Sequence, residues 1–196
     1  MPTPPVLAPP QCAAGPTGSE PSGGYSVLLV PVPELEPVVR PPLARWAPDY
    51  LHADPDAVHA HITLLGPFLP RADLSGEVLA DVGELFARTQ PFDFELARLD
   101  RFPGDGLVHL VPEPLGPFRA LTAELWRRHP QCPPYGGRFG DVIPHLSIDH
   151  AASTREVADV VAPFVPVTVT ASAAELYWYE PRCSRSLARF PFAAGR

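Results

Sequence analysis

The chain has 196 residues, enough for one ordinary domain or two small fused lobes, and 45% of them are hydrophobic, which excludes global disorder. Proline (29) and glycine (14) together exceed a fifth of the chain, against a usual share of about 12%. The formal net charge is -7 and all 15 basic residues are arginine, which excludes sequence-independent binding of long DNA or RNA but not of a nucleotide or an RNA end.

Residues 1–24 are proline, glycine, alanine, serine and threonine with almost no large apolar side chain, so a disordered Pro/Gly-rich tail is expected there, with one folded unit over 25–196. YSVLLVPV (25–32) reads as a buried strand. The next stretch has helical spacing, but Pro41 and Pro42 are expected to break or restart any helix. AVHAHITLLGPF (57–68) reads as a second strand, bounded by Pro55 and by Gly66-Pro67. Over 73–88, Leu74, Val78, Leu79, Val82, Leu85 and Phe86 share one face of an amphipathic helix. Two strands (92–102 and 106–113), a helix (117–129) and a strand (142–149) follow. Ser153 or Thr154 can cap a helix with Glu156 in its first turn, and three more strands are expected over PVTVTAS, AELYWYE and 188–192. Most strands neighbour strands, so the expected class is α+β with antiparallel sheets.

Cys12, Cys132 and Cys183 stand far apart with no CxxC pair, which speaks against a disulfide scaffold and a cysteine-based zinc site. No apolar run approaches the roughly 18 residues of a membrane span. The N-terminus lacks the charged and apolar regions of a signal peptide. A cytoplasmic monomer without membrane or long-DNA partners is expected.

One local pattern occurs twice. His61-Ile62-Thr63-Leu64 and His145-Leu146-Ser147-Ile148 both read His, aliphatic, hydroxyl, aliphatic among strand formers, 84 residues apart. On a strand, His61 and Thr63 share one face while Ile62 and Leu64 point into the core, and the second copy repeats this. An internal duplication would bring two imidazoles and two hydroxyls to a common groove. That set suits a phosphodiester. One histidine can take a proton from the nucleophile and the other can protonate the leaving oxygen. The hydroxyls can donate to non-bridging oxygens, so the chemistry asks for no metal or other cofactor.

HITL and HLSI resemble the paired H-x-[ST]-hydrophobic signature of the 2H phosphoesterase superfamily, specifically the 2'-5' RNA ligase family. The resemblance runs from about Tyr25 to the C-terminus and includes AHITLLGPF, FDFELARLDRFPG, EPLGPFRALTAELW and PPYGGRFGDVIPHLSI. It implies two pseudo-symmetric lobes, each an antiparallel sheet backed by helices, around a central cleft. It also implies metal-independent hydrolysis of 2',3'-cyclic phosphate ends of RNA or small nucleotides to 2'-phosphates. His61 matches the histidine that protonates the leaving 3'-oxygen, His145 the one that activates water, and Thr63 and Ser147 the phosphate-holding hydroxyls. The alternatives are a 2'-5' RNA ligase, or a nucleotide-binding sensor with little catalysis.

Other residues carry two readings each. His59 shares the expected strand face of His61, but no third ligand completes a metal site with them, which leaves His59 at the groove edge or supporting the site from behind. His109 lines the cleft or sits in the core. Tyr135, Arg138 and Phe139 could stack on a base and meet a phosphate, or pack within their own glycine-rich loop. Phe68, Tyr177, Trp178 and Tyr179 are stacking candidates of a type usually found in cores. Cys132 has no activating partner in sequence.

Overall fold

The apolar run after Gly24 forms the first strand, β1 (Tyr25–Pro31), in a computed structural model that describes residues 24–194 apart from 53, 55, 56, 104, 105, 140, 151 and 152. The expected tail over 1–24 therefore lies outside the described residues, save for Gly24. The chain continues through α1 (Glu36–Trp46), β2 (His61–Leu65), α2 (Gly76–Arg88), β3 (Phe92–Arg101) and β4 (Val108–Glu113). It ends with α3 (Gly116–Arg128), β5 (Leu146–Asp149), α4 (Thr154–Val161), β6 (Val167–Ala171), β7 (Ala173–Tyr179) and β8 (Arg185–Pro191). No helix among the described residues is long and apolar enough to cross a membrane.

Two expectations need correction. α1 runs unbroken through Pro41 and Pro42. Each proline removes a helix hydrogen bond and costs about 3 kcal/mol in a helix interior. Burial of Val38 and Val39 on the core offsets that cost. The motif strands are also shorter than their apolar runs: residues 57–60 precede β2, and His145 precedes β5. Elsewhere local chemistry decides. Ser153 and Glu156 form a reciprocal capping box at the start of α4, a device worth about 1 kcal/mol, and the Ser75 hydroxyl accepts from Val78 N–H at the start of α2. Cys132 is buried and free, whereas Cys183 is disulfide-bonded, a link that the cysteine spacing does not announce.

All eight strands pair antiparallel in one sheet, ordered β6-β3-β4-β5-β2-β1-β7-β8. The α+β class with antiparallel pairing thus holds, but the strands join in a continuous sheet rather than in two separate ones. Four strands lie on each side of the β2–β5 contact. Among the described residues, that contact has one register pair, Ile62 opposite Leu146. Both side chains are fully buried in the main apolar cluster, which also takes in Phe118, Leu121 and Leu125 of α3 and Phe86 of α2. Burying an aliphatic side chain of this size contributes roughly 1.5–3 kcal/mol. The Thr122 hydroxyl of α3 donates to the Leu64 carbonyl at 2.8 Å, which ties this helix to the back of β2.

Candidate active site

Antiparallel pairing of Ile62 with Leu146 fixes what lies on the opposite face. One residue to either side, His61 stands beside Ser147 and Thr63 beside His145. Direct cross-strand neighbours have Cβ atoms about 4.5–5.5 Å apart, and diagonal ones are separated by about 7–8 Å. The two imidazoles occupy one diagonal of this four-residue patch and the two hydroxyls the other. His61, Thr63 and His145 are half-buried, Ser147 is exposed, and Ile62, Leu64, Leu146 and Ile148 are buried, as strand alternation requires.

Both rings are held in the same way. His61 Nδ1 lies 2.6 Å from the carbonyl of His59, and His145 Nδ1 lies 2.7 Å from the carbonyl of Ile143. A carbonyl only accepts, so each Nδ1 carries a proton and donates it. In the neutral ring Nε2 then carries the lone pair. Burial pushes the His61 pKa below its usual value, and this outweighs the raising effect of the bond to the His59 carbonyl.

His61, Thr63 and Ser147 line a cavity of about 450 Å³ together with Tyr25, Trp46, Tyr135, Asp149 and Tyr179, among others. His145 lines a neighbouring cavity of about 560 Å³ with Phe102, Phe139, Asp141 and Ile143. The two cavities share Leu107 and Tyr135. The loop bearing Tyr135 is anchored to the first motif, since Tyr135 N–H donates to the Gly66 carbonyl at 2.7 Å. Burial pushes the Tyr135 hydroxyl to about 12 and that of Tyr179 well above 10, so both stay protonated near neutrality and serve as donors or ring surfaces.

Several open readings now resolve. His109 lies opposite Ser147 across the β4–β5 ladder, on the site's face, and is buried there. Its ring stacks on Phe102 at 4.1 Å and meets His145 edge-on at 5.2 Å. Phe102 and Tyr135 complete the surround of His145, with ring centroids at 4.9 and 6.4 Å. Phe139 packs on Tyr135 yet stays largely exposed, as does Arg138. Phe68, Tyr177 and Trp178 are buried core residues, while Tyr179 lies 6.2 Å from His61. Asp149 is buried and paired with Arg45 of α1.

His59 lines the same cavity as His61 and is itself buried. Its ring turns to Glu36 at the start of α1, with Nδ1 donating to Oε1 at 2.7 Å and Nε2 accepting from His52 N–H at 3.0 Å. Both ring nitrogens are engaged, so neither is free to ligate a metal. No group of three or more candidate metal-binding side chains occurs among the described residues. Glu36 also accepts from the backbone N–H of His59 at 2.6 Å and of Ala60 at 2.9 Å. Burial alone would raise the Glu36 carboxyl, but these hydrogen bonds outweigh it and hold the group below its usual value. Glu36 escapes a sequence reading because its partners lie 23 and 24 residues away. A lone acid at a helix start announces only a favourable helix dipole.

The profile of the 2'-5' RNA ligase superfamily matches residues 33–182. No curated protein sequence is similar at a significant level. Among solved structures, E. coli LigT complexed with 3'-AMP superposes with a TM-score of 0.52 at 16% identity, covering 88% of this chain and 100% of LigT. LigT complexed with NADP+ gives 0.52 at 18% identity, with 90% and 100% covered. TT0787 of Thermus thermophilus gives 0.53 at 20% identity, with 88% and 100% covered. At these identities the likeness establishes the fold.

Proposed function

The chain belongs to the 2'-5' RNA ligase superfamily, and on that premise we propose that it is a phosphodiesterase opening 2',3'-cyclic phosphate ends of RNA or small nucleotides to 2'-phosphates. The observation that supports this reading is the Ile62–Leu146 register, which puts the two imidazole- and hydroxyl-bearing pairs on one face of neighbouring strands. Tyr25–Arg196 acts as one catalytic unit, whose two four-strand halves derive from a duplication that each supplied one motif.

In this reading the phosphate sits between His61 and His145, with Thr63 and Ser147 donating to its non-bridging oxygens. His145 Nε2 takes a proton from water as the water oxygen attacks phosphorus in line with the P–O3' bond. That bond breaks, and protonated His61 gives its Nε2 proton to O3'. The product keeps the phosphate on O2' and frees the 3'-hydroxyl. The Nδ1–H groups are tied to backbone carbonyls, so proton traffic runs through Nε2 on both sides. The Thr63 and Ser147 hydroxyls and the imidazoles complement the phosphate charge. Burial favours the neutral form of His61, and an anionic substrate beside the ring favours the protonated form. The nucleotide complexes of LigT, with 3'-AMP, NADP+ and ATP, support a nucleotide as the substrate class.

The test is a panel of nucleoside 2',3'-cyclic phosphates and RNA oligomers with cyclic ends, run with chelator and followed by phosphorus NMR. The expected product is the 2'-monophosphate, at a rate unaffected by chelator. A 3'-phosphate product, or no turnover of any substrate, would overturn the reading. Ligation is the second reading, favoured by the separate cavity on the His145 side, which has room for the nucleoside of an attacking 5'-hydroxyl. Joined product from paired tRNA halves would favour it.

A further inference from the structure

Resting on that reading, we infer that Glu36 is a positioning residue for His61. Its carboxylate collects three hydrogen bonds from the two residues that lead into β2: the His59 ring, the His59 N–H and the Ala60 N–H. Ala60 is fixed on its other side as well, since its carbonyl accepts from Val32 N–H at 2.8 Å. The peptide so clamped presents the His59 carbonyl, which in turn holds Nδ1–H of His61 at 2.6 Å. Three links thus run from the carboxylate to the reacting imidazole, and none of them depends on substrate. The carboxylate never touches the phosphate; it sets the carbonyl that sets the ring.

The clamp is built from groups withdrawn from water. The Glu36 side chain is 18% exposed and that of His59 only 2%. A charged acceptor in such surroundings makes stronger hydrogen bonds than a neutral one, typically by about twofold. The charged and titratable groups around it are Arg40 one turn along α1 at 3.7 Å, His59 and His52 from the connection to β2, and Tyr177 and Tyr179 from β7. The second motif is held differently, because the carbonyl that fixes His145 belongs to the exposed residue Ile143. The half-buried Glu36 carboxylate acts on the first motif.

Glu36→Gln keeps the shape and removes the charge and one acceptor, while Glu36→Ala removes the clamp. Turnover of a nucleoside 2',3'-cyclic phosphate should fall by about 10–100-fold in kcat for the glutamine variant and further for alanine, with KM little changed. Nitrogen-15 NMR of the histidine side chains gives a readout independent of catalysis. Wild-type His61 should show the Nδ1–H tautomer, Glu36→Gln should show a mixture, and His145 should stay the same in both. A folded Glu36→Gln variant with wild-type kcat and an unaltered His61 tautomer would overturn the inference. Full activity in His61→Ala would instead overturn the proposed function, so the two failures are distinguishable.

Discussion

The two copies of the motif share a code but not an environment. His61 sits on a five-residue strand paired on both sides, beside Tyr179 and linked through the His59 carbonyl to the half-buried Glu36. His145 sits one residue before a four-residue strand, surrounded by the rings of Phe102, His109 and Tyr135. The alternation of four residues is enough to put each imidazole and hydroxyl on one face. Residues distant in sequence decide how dry, how rigid and how readily protonated each copy is.

The sharpest test of that comparison removes each imidazole in turn. His61→Ala and His145→Ala should each lower kcat on nucleoside 2',3'-cyclic phosphates by about 10²–10⁴-fold or more, with circular dichroism unchanged. A large loss at only one site would break the pairing. The hydroxyls come next. Thr63→Val and Ser147→Ala should each cost on the order of 10²-fold in kcat, as loss of a charge-stabilising donor does elsewhere. The half-buried Thr63 should be the more sensitive of the two.

The pH profile probes the electrostatic difference. Burial lowers the His61 pKa, so NMR titration of the free protein should find its imidazole gaining a proton only below 6.5. With inorganic phosphate bound the same titration should move to higher pH, because a neighbouring anion favours the charged ring. A His61 that titrates above 6.5 in the free protein would remove the electrostatic difference between the two copies. The smallest expected effects come from Ser147→Thr, which keeps the hydroxyl at an exposed position, and from Tyr135→Phe, which keeps the ring next to His145. Steady-state rates should stay close to wild type for both, and a large loss in Tyr135→Phe would give its hydroxyl a direct part.

The four site candidates were legible because hydrophobic alternation is local. His, aliphatic, hydroxyl, aliphatic reads the same on any strand, and the amphipathic helix over Gly76–Arg88 is equally plain. The continuity of α1 was not legible, since the price of two interior prolines is met by packing that sequence does not display. Nor was the Ile62–Leu146 register, a long-range pairing, or the position of His109, whose strand reads as apolar throughout and so betrays neither face. Glu36 and His59 illustrate the same limit: each looks ordinary alone, and only the fold makes them one unit.

The strand order also has a consequence for the timing of assembly. The half of the sheet that bears His61 is completed by β7 and β8, so its outer wall, including Tyr177 and Tyr179, comes from the final quarter of the chain. A nascent polypeptide extended as far as β6 already carries both histidines and both hydroxyls. It still lacks β7, the second of the two strands on which β1 docks, and competence must wait for a late, long-range closure near the end of synthesis.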